Sequence, residues 1–136
     1  MKVIVDTDVW SEAFRKRKGT PSTHVRELTD LVQEGRIELI GPIRMEILSG
    51  IRDPGQFDQF EQRLAAFPDR PIPQDCYVLA ARFFNQCRSK GIQGSNTDFL
   101  ICACAVSWEL PLLTKDKDYN NYSKHLPIDL LKPRKR

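Results

Sequence analysis

Val3-Ile4-Val5-Asp6-Thr7-Asp8-Val9-Trp10 is the stretch that decides how the rest of the chain is read. An unbroken run of β-branched residues reads as a strand buried on both faces. Acidic groups directly behind such a strand stand where open α/β sheets bind their ligands. Thr7 or Asp8 is placed to cap a helix that begins near Val9-Trp10.

Outward from this stretch the same alternation continues. The basic run Arg15-Lys16-Arg17-Lys18 leads to Gly19, which stops the first helix, and Thr20-Pro21 opens the second. Val25, Leu28 and Val32 share one face of that helix, and Gly35 ends it. Ile37, Leu39 and Ile40 form a second strand. Ile43, Ile47 and Ile51 then mark a short helix carrying Glu46, and Asp53-Pro54-Gly55 is a turn. Phe57, Phe60, Leu64 and Phe67 mark an amphipathic helix. The segment from Pro68 to Pro73 is a connector with at most a short edge strand. A long helix from Gln74 to Lys90 turns Cys76, Ala80, Phe83 or Phe84, and Cys87 inward. Asp98 precedes Phe99 to Val106, a run apolar on every side and hence a buried central helix. Pro111-Leu112-Leu113 is a third buried strand, followed at once by Thr114-Lys115-Asp116-Lys117-Asp118; Ile128 to Leu131 adds a last short strand. Strands alternating with helices predict an α/β three-layer sandwich around a mostly parallel sheet. Residues 1–131 read as one domain and 132–136 as a basic tail.

A chain of 136 residues, 40% apolar, can bury a core without disulfides or a structural metal. The formal net charge is +3, and the tail residues Lys132, Arg134, Lys135 and Arg136 account for all of it. Charge alone therefore makes no case for nucleic-acid binding. The tail reads as a solvated end, with a weak handle for a phosphate backbone as the alternative. None of Cys76, Cys87, Cys102 and Cys104 forms a C-x-x-C pair. They read as small core residues of a reducing compartment. Val3-Ile4-Val5 is too short for a signal-peptide core, and no run approaches the ~20 apolar residues of a membrane span. A soluble, cytoplasmic protein is expected.

The acids carry the functional reading. Asp6 and Asp8 follow the first strand, and Asp116 and Asp118 follow Leu112-Leu113. Asp98 opens the central helix, and Glu46 lies among Ile43, Met45, Ile47 and Leu48. Singly each has an ordinary explanation as a turn residue, a helix cap or the start of a solvated turn. Jointly they adjoin the most apolar segments of the chain, where ionised groups are costly unless paired or bound to a cation. Lys115 and Lys117 are cations close by the closing acids. Hard oxygen ligands suit Mg²⁺ or Mn²⁺, which lower the pKa of bound water and stabilise charge on phosphate.

These residues resemble a known family. Val5-Asp6-Thr7-Asp8-Val9-Trp10 resembles the opening of PIN-domain nucleases. Ser95-Asn96-Thr97-Asp98-Phe99-Leu100-Ile101-Cys102-Ala103 resembles their third acidic motif, and Leu112-Leu113-Thr114-Lys115-Asp116-Lys117-Asp118-Tyr119 their closing motif. Glu46, in Met45-Glu46-Ile47-Leu48-Ser49-Gly50, stands at the second acid. The likeness runs from Asp6 to about Tyr119 and points to the toxin half of VapBC-type toxin–antitoxin pairs. It implies a PIN-like fold and an endoribonuclease needing Mg²⁺ or Mn²⁺. It also implies structured RNA such as tRNA or rRNA as substrate, a cognate antitoxin and a homodimer. Carried over by motif, Asp6, Glu46, Asp98 and Asp116 are the catalytic quartet, with Asp6, Asp98 and Asp116 on the metal. Thr7, Thr114 and Asp118 support them. Asp8 departs from the family, where Asn or Ser is commoner; it is read as a helix cap, with a place in the metal shell as the alternative. Arg15, Lys16, Arg17 and Lys18 offer an RNA-binding surface or simply a solvated helix end.

Two rivals follow from the same residues. Val3 to Val9 also fits the first motif of haloacid-dehalogenase-like phosphatases, with Asp6 as nucleophile and Asp8 as general acid. That reading leaves Glu46 without a role, and the chain is short for it. A non-catalytic module could instead use the carboxylates to hold a partner's arginines.

Overall fold

A computed structural model describes residues 1–15 and 19–135 of the chain. Strand β1 (Val3–Val5) lies at the centre of a parallel sheet, with β2 (Ile37–Glu38) on one side and β3 (Leu112–Leu113) on the other. Val3 pairs with Ile37, and Val5 with Leu113. The chain passes from β1 to β2 and later returns to the opposite edge, so a crevice opens beyond the carboxyl end of β1. The helices are α1 (Thr7–Phe14), α2 (Thr23–Gln33), α3 (Gly41–Leu48), α4 (Pro54–Leu64), α5 (Gln74–Ser89), α6 (Asn96–Ser107) and α7 (Asp118–Tyr122). The expected α/β architecture with a parallel sheet is present.

Burial explains the assignment. All of β1 and β3, and the inner residues of α6 from Ile101 to Cys104, are fully buried in one core. Helix α6 has apolar residues around its whole circumference because α5 covers it along its length. The four cysteines are buried and free, as expected of core residues. Desolvation pushes the Cys104 thiol up to about 12 and raises Cys87 and Cys102 as well, which makes them poor nucleophiles.

Several local expectations need correction. Asp6, not Thr7 or Asp8, caps α1, and its carboxylate accepts the Thr7 N–H. Helix α1 stops at Phe14, short of Gly19; Lys16, Arg17 and Lys18 lie outside the described residues. Ser22 rather than Thr20 caps α2, and Leu31 takes the inner position expected for Val32, which is 39% exposed. Strand β2 ends before Ile40 because Ile40 is already the N-cap of α3. Asp53-Pro54-Gly55 is the first turn of α4 and not a free turn. Ile128 to Leu131 forms only a single parallel bridge, Leu130 to Leu112. The connector after α4 reaches the sheet edge through a bridge between Asp69 and Leu39. Arg44 of α3 holds it there, bonding Asp69 and the carbonyls of Leu64 and Phe67.

Within the tail, Arg134 is not solvated freely but tied to α2. The Arg134 guanidinium bonds Glu27 at 2.9 Å and Glu34 at 2.9 Å, and its backbone N–H also donates to Glu27. Glu27 is buried on α2, so a carboxylate there needs such a cation. No helix among the described residues is long and apolar enough to cross a membrane.

Candidate active site

Two adjacent strand ends build the centre of the site. The Asp6 N–H donates to the Leu113 carbonyl at 2.9 Å, extending the ladder one residue past β1 to the last residue of β3. Asp6 and Thr114 therefore face each other, and the Thr114 hydroxyl donates to Asp6 Oδ2 at 2.8 Å. Thr114 Oγ1 in turn accepts the Asp116 N–H at 3.0 Å, so one hydroxyl ties both acids to the strand ends. Asp116 Oδ1 accepts the Asp118 N–H at 2.9 Å and starts α7. Asp118 contributes its backbone here, while its own side chain is exposed.

Asp98 enters from a third element. Its expected alternative role as a helix cap belongs to Ser95, whose hydroxyl accepts the Asp98 N–H. The Asp98 carboxylate instead accepts from Tyr122 at 2.8 Å and Tyr119 at 3.3 Å. Both tyrosines are buried on α7, and burial together with the Asp98 charge raises their pKa values, so they stay protonated donors. Glu46 comes from α3 and accepts the Thr7 hydroxyl at 2.8 Å. It is exposed, whereas Asp6 is 6% exposed.

Asp8 is held from the closing loop. Its Oδ2 accepts the Lys115 N–H at 3.0 Å. Glu12, four residues on and on the same face of α1, takes Lys115 Nζ at 2.8 Å. Lys115 is thus fastened to α1 at both its backbone and its ammonium. Glu12 is 2% exposed and also accepts from Ser22. Tyr122 and Glu12 are the members that sequence reasoning passed over, and Tyr119 and Lys115 were named there without these roles. The four-residue spacing of Asp8 to Glu12, one face of a helix, was the available signal; Tyr122 left none.

The electrostatics are those of crowded, partly dry carboxylates. Burial pushes Asp6 up to about 7, the Asp8 charge adds to this, and the Thr114 hydrogen bond opposes it. Asp98 also raises it, which places its charge within range of Asp6. Asp8 is raised, first by burial. One oxygen, Asp8 Oδ1, is buried without a hydrogen-bond partner. A buried lone pair of this kind is costly unless something positive or protic meets it. Hard oxygens, a desolvated Asp6 and this unmet Asp8 oxygen suit a hard divalent cation. Among the described residues no trio of acidic, His or Cys side chains forms a ready-made cage. An ion such as Mg²⁺ keeps several waters and needs only one or two carboxylates plus a substrate phosphate, so the donor set fits it.

The structure thus brings Asp6, Thr114 and Asp116 into one hydrogen-bonded group, with Asp98 in electrostatic range and Asp8 and Glu46 joined through α1. Arg15 stands at the far end of α1.

Comparison with known proteins agrees with this architecture. The PIN-domain family model matches residues 3–125. The VapC ribonuclease Mb1587 of Mycobacterium bovis is 28% identical over 120 residues, covering 87% of this chain and 89% of its own length. Among solved structures, VapBC2 from Rickettsia felis bound to a promoter DNA fragment has a chain that superposes with TM-score 0.76 at 18% identity, covering 97% of this chain and 98% of that one. A toxin–antitoxin complex from Klebsiella pneumoniae gives TM-score 0.68 at 17% identity, covering 99% and 100%. The two structures speak for the fold, and the family model spans the acids from Asp6 to Asp116 that the fold gathers; this chain belongs to the PIN-domain family.

Proposed function

We propose that the chain is a divalent-metal-dependent endoribonuclease and the toxin of a toxin–antitoxin pair, hydrolysing phosphodiester bonds in structured RNA such as tRNA or rRNA. One observation carries the reading. Asp6 is buried at the end of β1, bonded to Thr114, and crowded by Asp8 and Asp98. Its relatives named as ribonucleases support RNA as the substrate class, and a cognate antitoxin follows from the same kinship. A cytoplasmic location and a homodimer belong to the same proposal.

In this reading Asp6, Asp98 and Asp116 would hold the cation, and Glu46 with Thr7 orients the attacking water. Mg²⁺ or Mn²⁺, when bound, supplies a water of lowered pKa and charge stabilisation on the phosphate. Tyr119 and Tyr122 fix the Asp98 carboxylate so that it does not swing away from the cluster. Lys115 fixes Asp8 in the same way. The P–O bond to the leaving ribose oxygen breaks as the bond from water to phosphorus forms; the water's proton passes to the Glu46 carboxylate, and the departing ribose oxygen takes a proton from solvent.

The family match sets the haloacid-dehalogenase-like alternative aside, and with it Asp6 as a phosphorylated nucleophile. The test is cleavage of a total RNA pool with Mg²⁺, Mn²⁺ or EDTA, for the wild type and for Asp6→Asn and Asp98→Asn. Cleavage that needs the cation and falls by ~10²-fold or more in both variants supports the proposal. Equal cleavage by both variants, or none by the wild type with either cation, refutes it and leaves the binding-module reading.

A further inference from the structure

We propose that the groove between α1, α3 and α4 seats a single strand of the RNA beside the cleaved bond, with Arg15, Arg52 and Arg63 taking its backbone phosphates. The inference rests on the nuclease reading for its substrate class, and it adds a binding site to it.

The groove holds about 910 Å³ and is continuous with the candidate active site, since Asp8 and Glu46 both line it. That volume suits a ligand of one or two nucleotides and not a duplex. Its floor is apolar. Phe14 and Phe60 lie there as a stacked pair with ring centroids 4.6 Å apart.

Charge is sorted along the groove. Asp8 stands at the start of α1, with Glu46 of α3 bonded to the neighbouring Thr7, and Arg15 stands at the helix's end, seven residues and about 10 Å beyond Asp8. Arg52 enters from the link between α3 and α4, and Arg63 from the last turn of α4. Among the described residues none of these three guanidinium groups is held in an ion pair. Arg63 is instead laid over the Phe14 ring, 5.0 Å from its centroid, which fixes its stem and leaves its donors open. Asp53, the other acid of the groove, is already engaged as the cap of α4.

Unpaired cations on an apolar floor, leading away from a cation-binding acidic end, complement a polyanion that enters end-on. Successive phosphates of one strand advance by ~3.4 Å along a helix axis and further when extended, so a 10 Å groove meets about two or three of them. Arginine forks are suited to phosphate oxygens.

The test is the salt dependence of RNA binding, measured in EDTA so that no cleavage enters. The probe is a short fluorescein-labelled 2′-O-methyl RNA oligonucleotide of mixed sequence, followed by anisotropy. Replacing all three residues by Gln keeps their packing stems and removes their charges. The log–log salt slope should fall by about 2, at ~0.7 per lost phosphate contact, so that the affinity lost between 50 and 200 mM salt shrinks by roughly 20-fold. Arg52→Lys with Arg63→Lys should restore most of their share, because the slope counts charge. Arg82→Gln with Lys124→Gln, away from the groove, should leave the slope unchanged. An unchanged slope in the triple Gln variant, or an equal fall in the distant control, overturns the proposal and leaves the groove to a protein partner. Failure of the nuclease reading is seen separately: a wild type that cuts no RNA with Mg²⁺ or Mn²⁺ refutes that reading, whereas the salt slope alone decides the groove.

Discussion

Replacing Gly94 by Ala should disable the site without touching an acid. Gly94 does not occupy the left-handed region, so the backbone accepts alanine there. The obstacle is space. A Cβ at this position overlaps Tyr122 Oη and lies only 2.9 Å from Tyr122 Cζ and Phe99 Cε2. Comfortable contact needs roughly 3.5 Å, so the Tyr122 ring must retreat by about 1 Å. It has little room, being fully buried against Phe99 and Tyr119 with centroids 4.9 and 5.1 Å away. Retreat also breaks the 2.8 Å bond from its hydroxyl to Asp98 Oδ2. Overpacking costs about 1–3 kcal/mol, and losing a hydrogen bond to a charged group about 1.5–3 kcal/mol. The two overlap, so a total near 3 kcal/mol is expected as a lower urea midpoint at constant m. RNA cleavage should fall by ~10²-fold, the usual consequence of displacing a catalytic group by about 1 Å. Tyr122→Phe separates the causes, since it removes the hydroxyl and its overlap with the new Cβ together. Gly94→Ala in that background should cost at least 1 kcal/mol less than in the wild type. Wild-type stability and activity in Gly94→Ala, or strict additivity in the double variant, would refute the argument that Tyr122 positions Asp98.

Other consequences are simpler to check. Arg134→Ala should lower the urea midpoint at neutral pH by uncovering Glu27, and the loss should shrink in acid. Its hydrogen bonds from Arg134, then Arg36, hold Glu34 at about 2, below its ordinary 4.5. A depressed carboxylate pKa contributes stability above the unfolded value, so this part fades as pH falls from about 4.5 to 2. The midpoint difference between wild type and variant, measured across that window, should narrow. Glu109, at the end of α6, holds a positive φ of 54°, so Glu109→Gly should raise stability by about 0.5–1 kcal/mol in thermal melts. Asp8→Asn keeps an acceptor for the Lys115 N–H while removing a buried charge. It should stabilise the protein in EDTA by about 1 kcal/mol and weaken Mg²⁺ binding in calorimetric titration by ~10-fold or more.

Much of this protein was written in its order of residues. Val3-Ile4-Val5 and Leu112-Leu113 had to be interior strands because nothing polar interrupts them, and helix α6 had to be central because no face of it is polar. Once those strands are parallel, Asp6 and Thr114 must emerge at the same end of the sheet, so the heart of the candidate site was legible from the sequence alone. Three matters waited for the tertiary structure. Asp8 is no cap but an acceptor for the Lys115 N–H, and that bond spans 107 positions. The tyrosines that hold Asp98 lie in a polar-looking segment, and only packing shows them buried. The tail looked free because its partner carboxylates on α2 are about a hundred residues away. The division has a physical cause: periodicity and strand ends are set by neighbours along the chain, whereas the partner of a charge or a hydroxyl is whatever the fold carries within about 3 Å.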